Sequence, residues 1–175
     1  MTESRSQAVP TERTRRLDPA ELALAMERLR SEQNLGLGAI AGAAAALIGA
    51  AAWAAVTVFT HYQIGWMAVG VGFLVAFAVR TFGKGLDGVF GIVGAGLALL
   101  GCLVGNFLAV CGMVAQQEDL GLLEILSRLD MQIAQELMTA TFSPLDLLFY
   151  GIAVYEGYKL SFRQLSAADL ERRVS

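Results

Sequence analysis

Residues 35–59 read LGLGAIAGAAAALIGAAAWAAVTVF, an uninterrupted stretch without a charged side chain. Two further stretches, Ile64–Val79 and Val89–Ala115, are equally free of charge. A helix of roughly 20 apolar residues is long enough to cross the hydrocarbon core of a bilayer. The three stretches therefore predict an integral membrane protein. The chain of 175 residues, 55% hydrophobic and 17% charged, leaves no room for a soluble domain of ordinary size.

The predicted fold class is all-α: an integral membrane four-helix bundle with a cytoplasmic N-terminal helix and an extracytoplasmic amphipathic helix. Spans are expected at about 37–59, 64–81, 86–115 and 145–160. The fourth is short and contains Glu156. Its start nevertheless carries Ser143, Pro144 and Asp146, which supply the cap, the first-turn proline and the N3 acid of a helix.

The segment 1–34 is polar and is expected to be cytoplasmic, as is the tail 161–175. Asp18, Pro19 and Glu21 repeat the helix-start pattern, so a short helix is expected from there to about Asn34. Its narrow apolar stripe suits the membrane surface, a partner helix or a solvated lead-in to the first span. No cleavable signal peptide is expected, because the first apolar run begins too late and is too long.

The distribution of Lys and Arg predicts the orientation. In a four-span topology, twelve of the 13 basic residues lie on one side of the membrane, and Arg128 alone lies on the other. The twelve are the six arginines of residues 1–34 with Arg80, Lys84, Lys159, Arg163, Arg172 and Arg173. Because basic segments remain in the cytoplasm, both termini are expected there and 116–144 is expected outside.

Small residues recur every four positions along the first three spans. The rows are Gly38, Gly42, Ala46, Ala50 and Ala54; Ala68, Gly72 and Ala76; and Gly101, Gly105 and Ala109. Small residues at this spacing let helix backbones approach closely in lipid. Gly42, Gly72, Gly101 and Gly105 are therefore the candidate helix-packing positions.

Residues 118–140 have a different pattern. Leucine and isoleucine side chains fall at helical spacing, with charged and amide side chains between them; the apolar set is Leu122, Leu126, Leu129, Ile133 and Leu137. The segment is too charged to span. It predicts one amphipathic helix that lies on the bilayer surface or packs across the top of the bundle.

The run from Tyr62 to Asn106 reads YQIGWMAVGVGFLVAFAVRTFGKGLDGVFGIVGAGLALLGCLVGN. It resembles a stretch of small, uncharacterised bacterial multi-pass membrane proteins. The resemblance covers about 45 of the 175 residues. It implies a bacterial inner-membrane location and marks the second span, the loop and the third span as the characteristic unit. It implies no catalytic residue.

Two polar residues fall inside predicted spans, where a polar group is costly and faces protein or water. Asn106 lies in the middle of the third span, where its amide either joins helices by a hydrogen bond or lines a polar path. Glu156 lies in the fourth span, three residues before Lys159. It either pairs with that lysine within the helix or handles protons or cations.

Polar residues also mark both ends of the predicted hairpin. Arg80, Lys84 and Asp87 lie at the cytoplasmic loop, where lipid headgroup contact and topology compete with a ligand site. His61, Tyr62 and Trp66 lie at the outer turn; the two aromatic rings suit the membrane interface. His61 is a solvated turn residue or, because histidine changes charge near neutral pH, a pH sensor.

The sequence carries no recognisable enzyme motif. One histidine and two cysteines, both in the third span, do not provide the ligand spacing of a zinc site, and no cofactor is expected. The expected function is a non-enzymatic scaffold or accessory subunit of the bacterial inner membrane that packs, in the bilayer, with itself or another membrane protein. The alternative is an oligomeric channel or transporter with Asn106 and Glu156 lining a polar path. No nucleic-acid partner is expected.

Overall fold

A computed structural model describes residues 18–128 and 130–163 of the chain. All of the regular elements in those ranges are helices. They are α1 (Pro19–Ser31), α2 (Leu35–Thr60), α3 (Trp66–Gly83), α4 (Gly88–Gln117), α5 (Leu122–Arg128), α6 (Met131–Thr141) and α7 (Pro144–Leu160). The predicted all-α class is confirmed, whereas the predictions for 1–17 and 164–175 lie outside the described residues.

Three of these helices, α2, α3 and α4, are long and apolar enough to cross a membrane. This confirms the prediction of a membrane protein with at least these three spanning segments. At 1.5 Å per residue, the 30 residues of α4 extend about 45 Å, more than a hydrocarbon core of about 30 Å. Each of the three helices begins or ends within about two residues of the predicted span.

Contacts between glycines and their neighbours define the directions of the helices. The backbone of Gly38, near the start of α2, lies against Gly83 at the end of α3, so these two helices are antiparallel. Gly101 and Gly105 of α4 lie against Ala46 and Ala50 of α2, so α4 runs parallel to α2. We call the end with residues 84–87 the loop end and the end with residues 61–65 the turn end.

Helix α7 packs against both α3 and α4. Phe149 lies beside Gly65 at the turn end, Ala153 meets Gly72 midway, and the backbone N–H of Arg163 donates to Gly85 O at 2.8 Å at the loop end. The helix therefore runs alongside α3 over nearly its full length. Its start carries a capping box, in which Ser143 accepts a backbone hydrogen bond and Asp146 accepts one from Ser143 N.

The distribution of side chains is the reverse of that in a water-soluble domain. The buried face of α2 is made of small residues around one large ring, Trp53. Large apolar side chains point outward instead, including Ile40, Leu47, Ile48, Phe73, Phe77, Ile92 and Leu100. A core of small residues with an apolar exterior suits a hydrocarbon solvent, in which close packing rather than water exclusion drives helix association.

The structure divides the predicted amphipathic helix of 118–140 into two. Helix α5 ends at Arg128, and Asp130 caps α6 by accepting a 2.8 Å hydrogen bond from Ile133 N. A residue whose side chain caps a helix has an extended backbone, so it interrupts the preceding helix. The apolar periodicity continues across the break, which is why the sequence pattern concealed it; Leu129 lies outside the described residues.

The N-terminal helix ends at Ser31, three residues before Asn34, where the sequence predicted its end. Just before α1, Asp18 N donates to Glu21 Oε2 at 3.3 Å, in agreement with the predicted helix start. Asn34 instead caps α2, because its Oδ1 accepts a 2.8 Å hydrogen bond from Leu37 N. Helix α1 therefore ends at Ser31, and Asn34 belongs to the start of α2.

Candidate functional site

The four candidate glycines all lie in contacts between helices of the same chain. A Cβ built on Gly42 would lie 2.5 Å from Val79 Cγ2, and one on Gly101 would lie 2.8 Å from Val71 Cγ1. One on Gly105 would lie 3.1 Å from Trp53 Cε3. All of these glycines are buried, so the packing they permit is within the chain.

Gly72 makes the closest of these backbone approaches. A Cβ at this position would lie 2.8 Å from both the Cα and the carbonyl oxygen of Ala153 on α7. A matching approach on α4 brings Gly94 against Gly157 O and the Ser161 hydroxyl. Glycine is required at these positions because the neighbouring atoms include backbone of α7, which cannot turn aside as a side chain can. They allow α7 to lie directly on α3 and α4.

Asn106 is fully buried in α4, and its amide is joined to the turn end of the bundle. Gln63 Nε2, in the turn between α2 and α3, donates a hydrogen bond to Asn106 Oδ1. The amide therefore links a helix to a turn, rather than one helix to another as the sequence suggested. Gln63 itself is exposed, so this bond connects the interior to the surface.

Three further polar side chains are buried in this half of the bundle. The Trp53 and Tyr150 rings meet edge to face, with centroids 6.5 Å apart, and the Trp53 ring lies against Gly105. Thr57 lies one turn beyond Trp53 on the same face of α2 and is also fully buried. The Asn106 amide is near enough to the Tyr150 hydroxyl to interact with it electrostatically, but the two do not form a well-aligned hydrogen bond.

Four buried polar atoms here lack a hydrogen-bond partner among the described residues. They are Trp53 Nε1, Thr57 Oγ1, Asn106 Nδ2 and Tyr150 Oη. We call these four residues the donor cluster, since two of the atoms can only donate and the two hydroxyls can also donate. Native proteins leave few buried polar groups unpaired, so a cluster of four on three helices is the most unusual chemical feature of the described chain.

Glu156 is half-buried on α7 and does not pair with Lys159. Lys159 Nζ donates instead to the Tyr155 hydroxyl at 2.9 Å and lies 5.3 Å from the centre of that ring. Glu156 Oε2 is buried without a hydrogen-bond partner among the described residues. Asn106 and Glu156 are not brought together: Asn106 lies near Tyr150, which precedes Glu156 by six residues, or about 9 Å along a helix.

The loop end is organised by a residue that the sequence did not single out. Gln33 Oε1 accepts hydrogen bonds from Leu86 N at 2.8 Å and Asp87 N at 3.3 Å, while its Nε2 donates to Asp87 Oδ2 at 3.0 Å. The Asn34 backbone N–H donates to Gly83 O at 3.0 Å. The residues before α2 therefore hold the loop between α3 and α4 in place.

The three predicted loop residues have separate roles. Asp87 precedes α4 and faces Gln33 instead of capping its own helix. Lys84 forms a 3.1 Å ion pair with Glu32, and both side chains are more than half exposed. Its φ of 49° places it in the left-handed region, where it ends α3. Arg80 is exposed on the last turn of α3. These three residues do not converge on one centre.

The residues of the predicted outer turn are also exposed. His61 ends α2 with a φ of 58°, and its backbone N–H donates to Thr57 O at 2.9 Å. Tyr62 and Trp66 are 74% and 68% exposed, and the Trp66 ring lies 5.5 Å from that of Phe149. Exposed aromatic rings at one end of an apolar bundle suit the membrane interface.

An apolar groove of about 520 Å³ lies between α2 and α4 near the turn end. Small side chains and a glycine form much of it, and Gln116 is its polar residue. Its lining includes Ala51, Ala55, Val58, Leu108, Gly112 and Ala115, with Leu120 and Leu122 at the turn end. The groove is not lined by α7, which packs on α3 and α4.

Sequence reasoning named Asn106 but missed its neighbours. Trp53, Thr57 and Tyr150 are ordinary residues of apolar helices, and only the register of three helices brings them together. One signal was available: Ala41, Ala45 and Gly49 form another row at four-residue spacing, and Trp53 and Thr57 continue it as a large and a polar exception. Gln33 and Gln63 both lie next to helix ends, where amide side chains commonly bond to backbone or neighbouring polar groups.

The site contains no recognisable metal centre. Within 18–128 and 130–163, no three His, Cys, Asp or Glu side chains come together in a way that could hold a metal ion. Cys102 and Cys111 are buried and free. The geometry thus defines a helical membrane protein with an internal polar cluster. No protein-family model, curated protein or solved structure matches the chain.

Proposed function

We propose that this chain is a non-enzymatic scaffold or accessory subunit of the bacterial inner membrane, with four spans and both termini in the cytoplasm. The fourth span would be α7. Its support is the packing of α7 along α3 from the turn end to the loop end, with backbone contact at Gly72 and Ala153. If α3 crosses the membrane, a helix that packs along most of its length lies in the membrane as well.

The charge pattern supports the same topology. If α7 spans, Arg163 lies on the same side as Arg80 and Lys84, as its backbone hydrogen bond to Gly85 also suggests. Arg128, the last residue of α5, would lie outside with a salt bridge to Glu124 that neutralises it. The positive-inside rule then assigns the loop end to the cytoplasm.

The observation that carries the scaffold role is the groove between α2 and α4. The candidate glycines are used within the chain, whereas Ala51 and Ala55 line a groove in which none of the described helices is seated. Small residues in lipid permit close contact with another helix. A twofold pair would place two concave patches face to face and leave them unfilled, so the proposed occupant is a transmembrane helix of another membrane protein.

A pair of matched substitutions tests this proposal. Ala55→Phe fills the groove, whereas Ala52→Phe adds the same side chain to an exposed position of α2 outside it. Native mass spectrometry and in-membrane photo-crosslinking should show a partner protein with the wild type and Ala52→Phe, and loss of that partner with Ala55→Phe. Equal recovery in both variants would contradict docking in the groove, and a homodimer alone would identify a second copy as the occupant.

The second candidate function is an oligomeric channel or transporter. It is favoured by polar atoms of Asn106 and Glu156 inside the bundle that have no hydrogen-bond partner among the described residues. Because these residues lie at different heights, a path would have to join them along α7. Ion or solute flux into liposomes should fall in Glu156→Gln and persist in Glu118→Gln, whose carboxylate is exposed at the end of α4. Unchanged flux in Glu156→Gln would remove that carboxylate from the mechanism.

A further inference from the structure

We infer that the donor cluster is an internal binding site for a small neutral molecule with a hydrogen-bond-accepting oxygen, entered from the turn end beside Gln63. The inference does not depend on the scaffold role. It starts from burial: Trp53, Thr57 and Asn106 are each at most 1% exposed, and Tyr150 is 6% exposed. Their four polar atoms lack partners among the described residues.

The chemistry of the four groups selects an acceptor. Trp53 Nε1 and Asn106 Nδ2 can only donate hydrogen bonds. Asn106 Oδ1, the one amide oxygen in the cluster, already accepts from Gln63. The hydroxyls of Thr57 and Tyr150 can donate or accept. An oxygen atom placed among them therefore meets two obligate donors, and a guest that carries a donor as well can use a hydroxyl.

The charge and the donors nearby disfavour an ionic guest. Asp146 lies one turn from Tyr150 on α7 and interacts with it, so an anion would be repelled by a carboxylate one helical turn away. Its carboxylate is held at the helix start by Ser143 N at 2.8 Å. A cation would face the N–H groups of Trp53 and Asn106. A neutral oxygen meets neither obstacle.

Gln63 marks the proposed entrance to the donor cluster. Its side chain is exposed at the turn end, and its amide covers Asn106, which is fully buried. The turn that carries it has only five residues between α2 and α3, so Gln63 can swing away without movement of the spans. Water and a small carbonyl compound share the required chemistry, and movement of Gln63 would open this route to either.

Ultraviolet resonance Raman spectroscopy of the full chain in lipid nanodiscs tests the site. Trp66→Phe leaves Trp53 as the sole tryptophan. The marker band of its indole N–H should show a hydrogen bond. If the guest is water, the N–H should exchange within minutes in D₂O; if it is a retained carbonyl compound, exchange should be slow and solvent extraction should yield it in stoichiometric amount. A free indole N–H would overturn the inference.

Two tyrosine variants test whether the indole N–H of Trp53 donates to a guest or to a group of the protein. Tyr150→Phe keeps the ring contact with Trp53 but removes the hydroxyl, and the indole hydrogen bond should persist. Its complete loss would mean that the Tyr150 hydroxyl was the acceptor and would overturn the site. Tyr158→Phe is the matched control on α7, where the hydroxyl lies near Gly88 at the loop end, and the band should not change.

Discussion

Gly72 of α3 and Ala153 of α7 bring their backbones into direct contact: a Cβ on Gly72 would lie 2.8 Å from the Ala153 Cα. Gly72→Ala should therefore push the helices apart and lower the free energy of unfolding by about 1–3 kcal/mol, the usual cost of overpacking. Gly70→Ala is the control, because Gly70 has open space around it and gains the same helix propensity. Reversible unfolding in mixed micelles, followed by circular dichroism, measures both; equal stability of the two variants would contradict the contact.

The capping box at the start of α7 gives a second prediction. Ser143→Ala should lower the free energy of unfolding by about 1 kcal/mol, because a helix N–H loses its acceptor. Ser127→Ala is a matched control: its hydroxyl bonds only the carbonyl oxygen of Glu124 within exposed α5. The same assay should show a lower free energy of unfolding for Ser143→Ala alone. A larger loss for Ser127→Ala would contradict the stabilising role of the Ser143 cap.

Gln33 should control the exchange of backbone amides at the loop end. Gln33→Leu removes the acceptor of Leu86 N and Asp87 N, so these two amides should exchange with deuterium faster, with a stability loss of about 1–3 kcal/mol. Lys84→Gln breaks only the exposed ion pair with Glu32 and should cost at most about 1 kcal/mol. Unchanged exchange at Leu86 in Gln33→Leu would show that the loop is held without this side chain.

Topology is open to a direct measurement. A reporter active only in the cytoplasm should be active when fused after Ser175, and a reporter active only in the periplasm should be active when inserted at Gly121, which has open space around it. The expected pattern follows from the distribution of basic residues. A periplasmic signal at the C-terminus would contradict the fourth span and reduce the membrane domain to α2, α3 and α4.

Sequence patterns that act within a few residues predicted the helices. They could not predict the contacts between residues that are distant in the sequence. The apolar runs and the caps at Asp18 and Ser143 act within a few residues, so their sequence patterns suffice. The bond between Gln63 and Asn106, and that between Gln33 and Asp87, depend on how α2, α3 and α4 align. The break at Asp130 was missed because its cap leaves the apolar spacing intact.

The contact face of α7 has a consequence for how the chain assembles. Asp146, Glu156 and Lys159 give this helix little tendency to enter lipid unaided. In the proposed topology, Gly72 and Gly94 must therefore already be presented side by side by α3 and α4 before α7 can settle against them. Assembly of the membrane domain would then follow a fixed order. Helices α2, α3 and α4 pack first, and α7 inserts only when they have formed correctly.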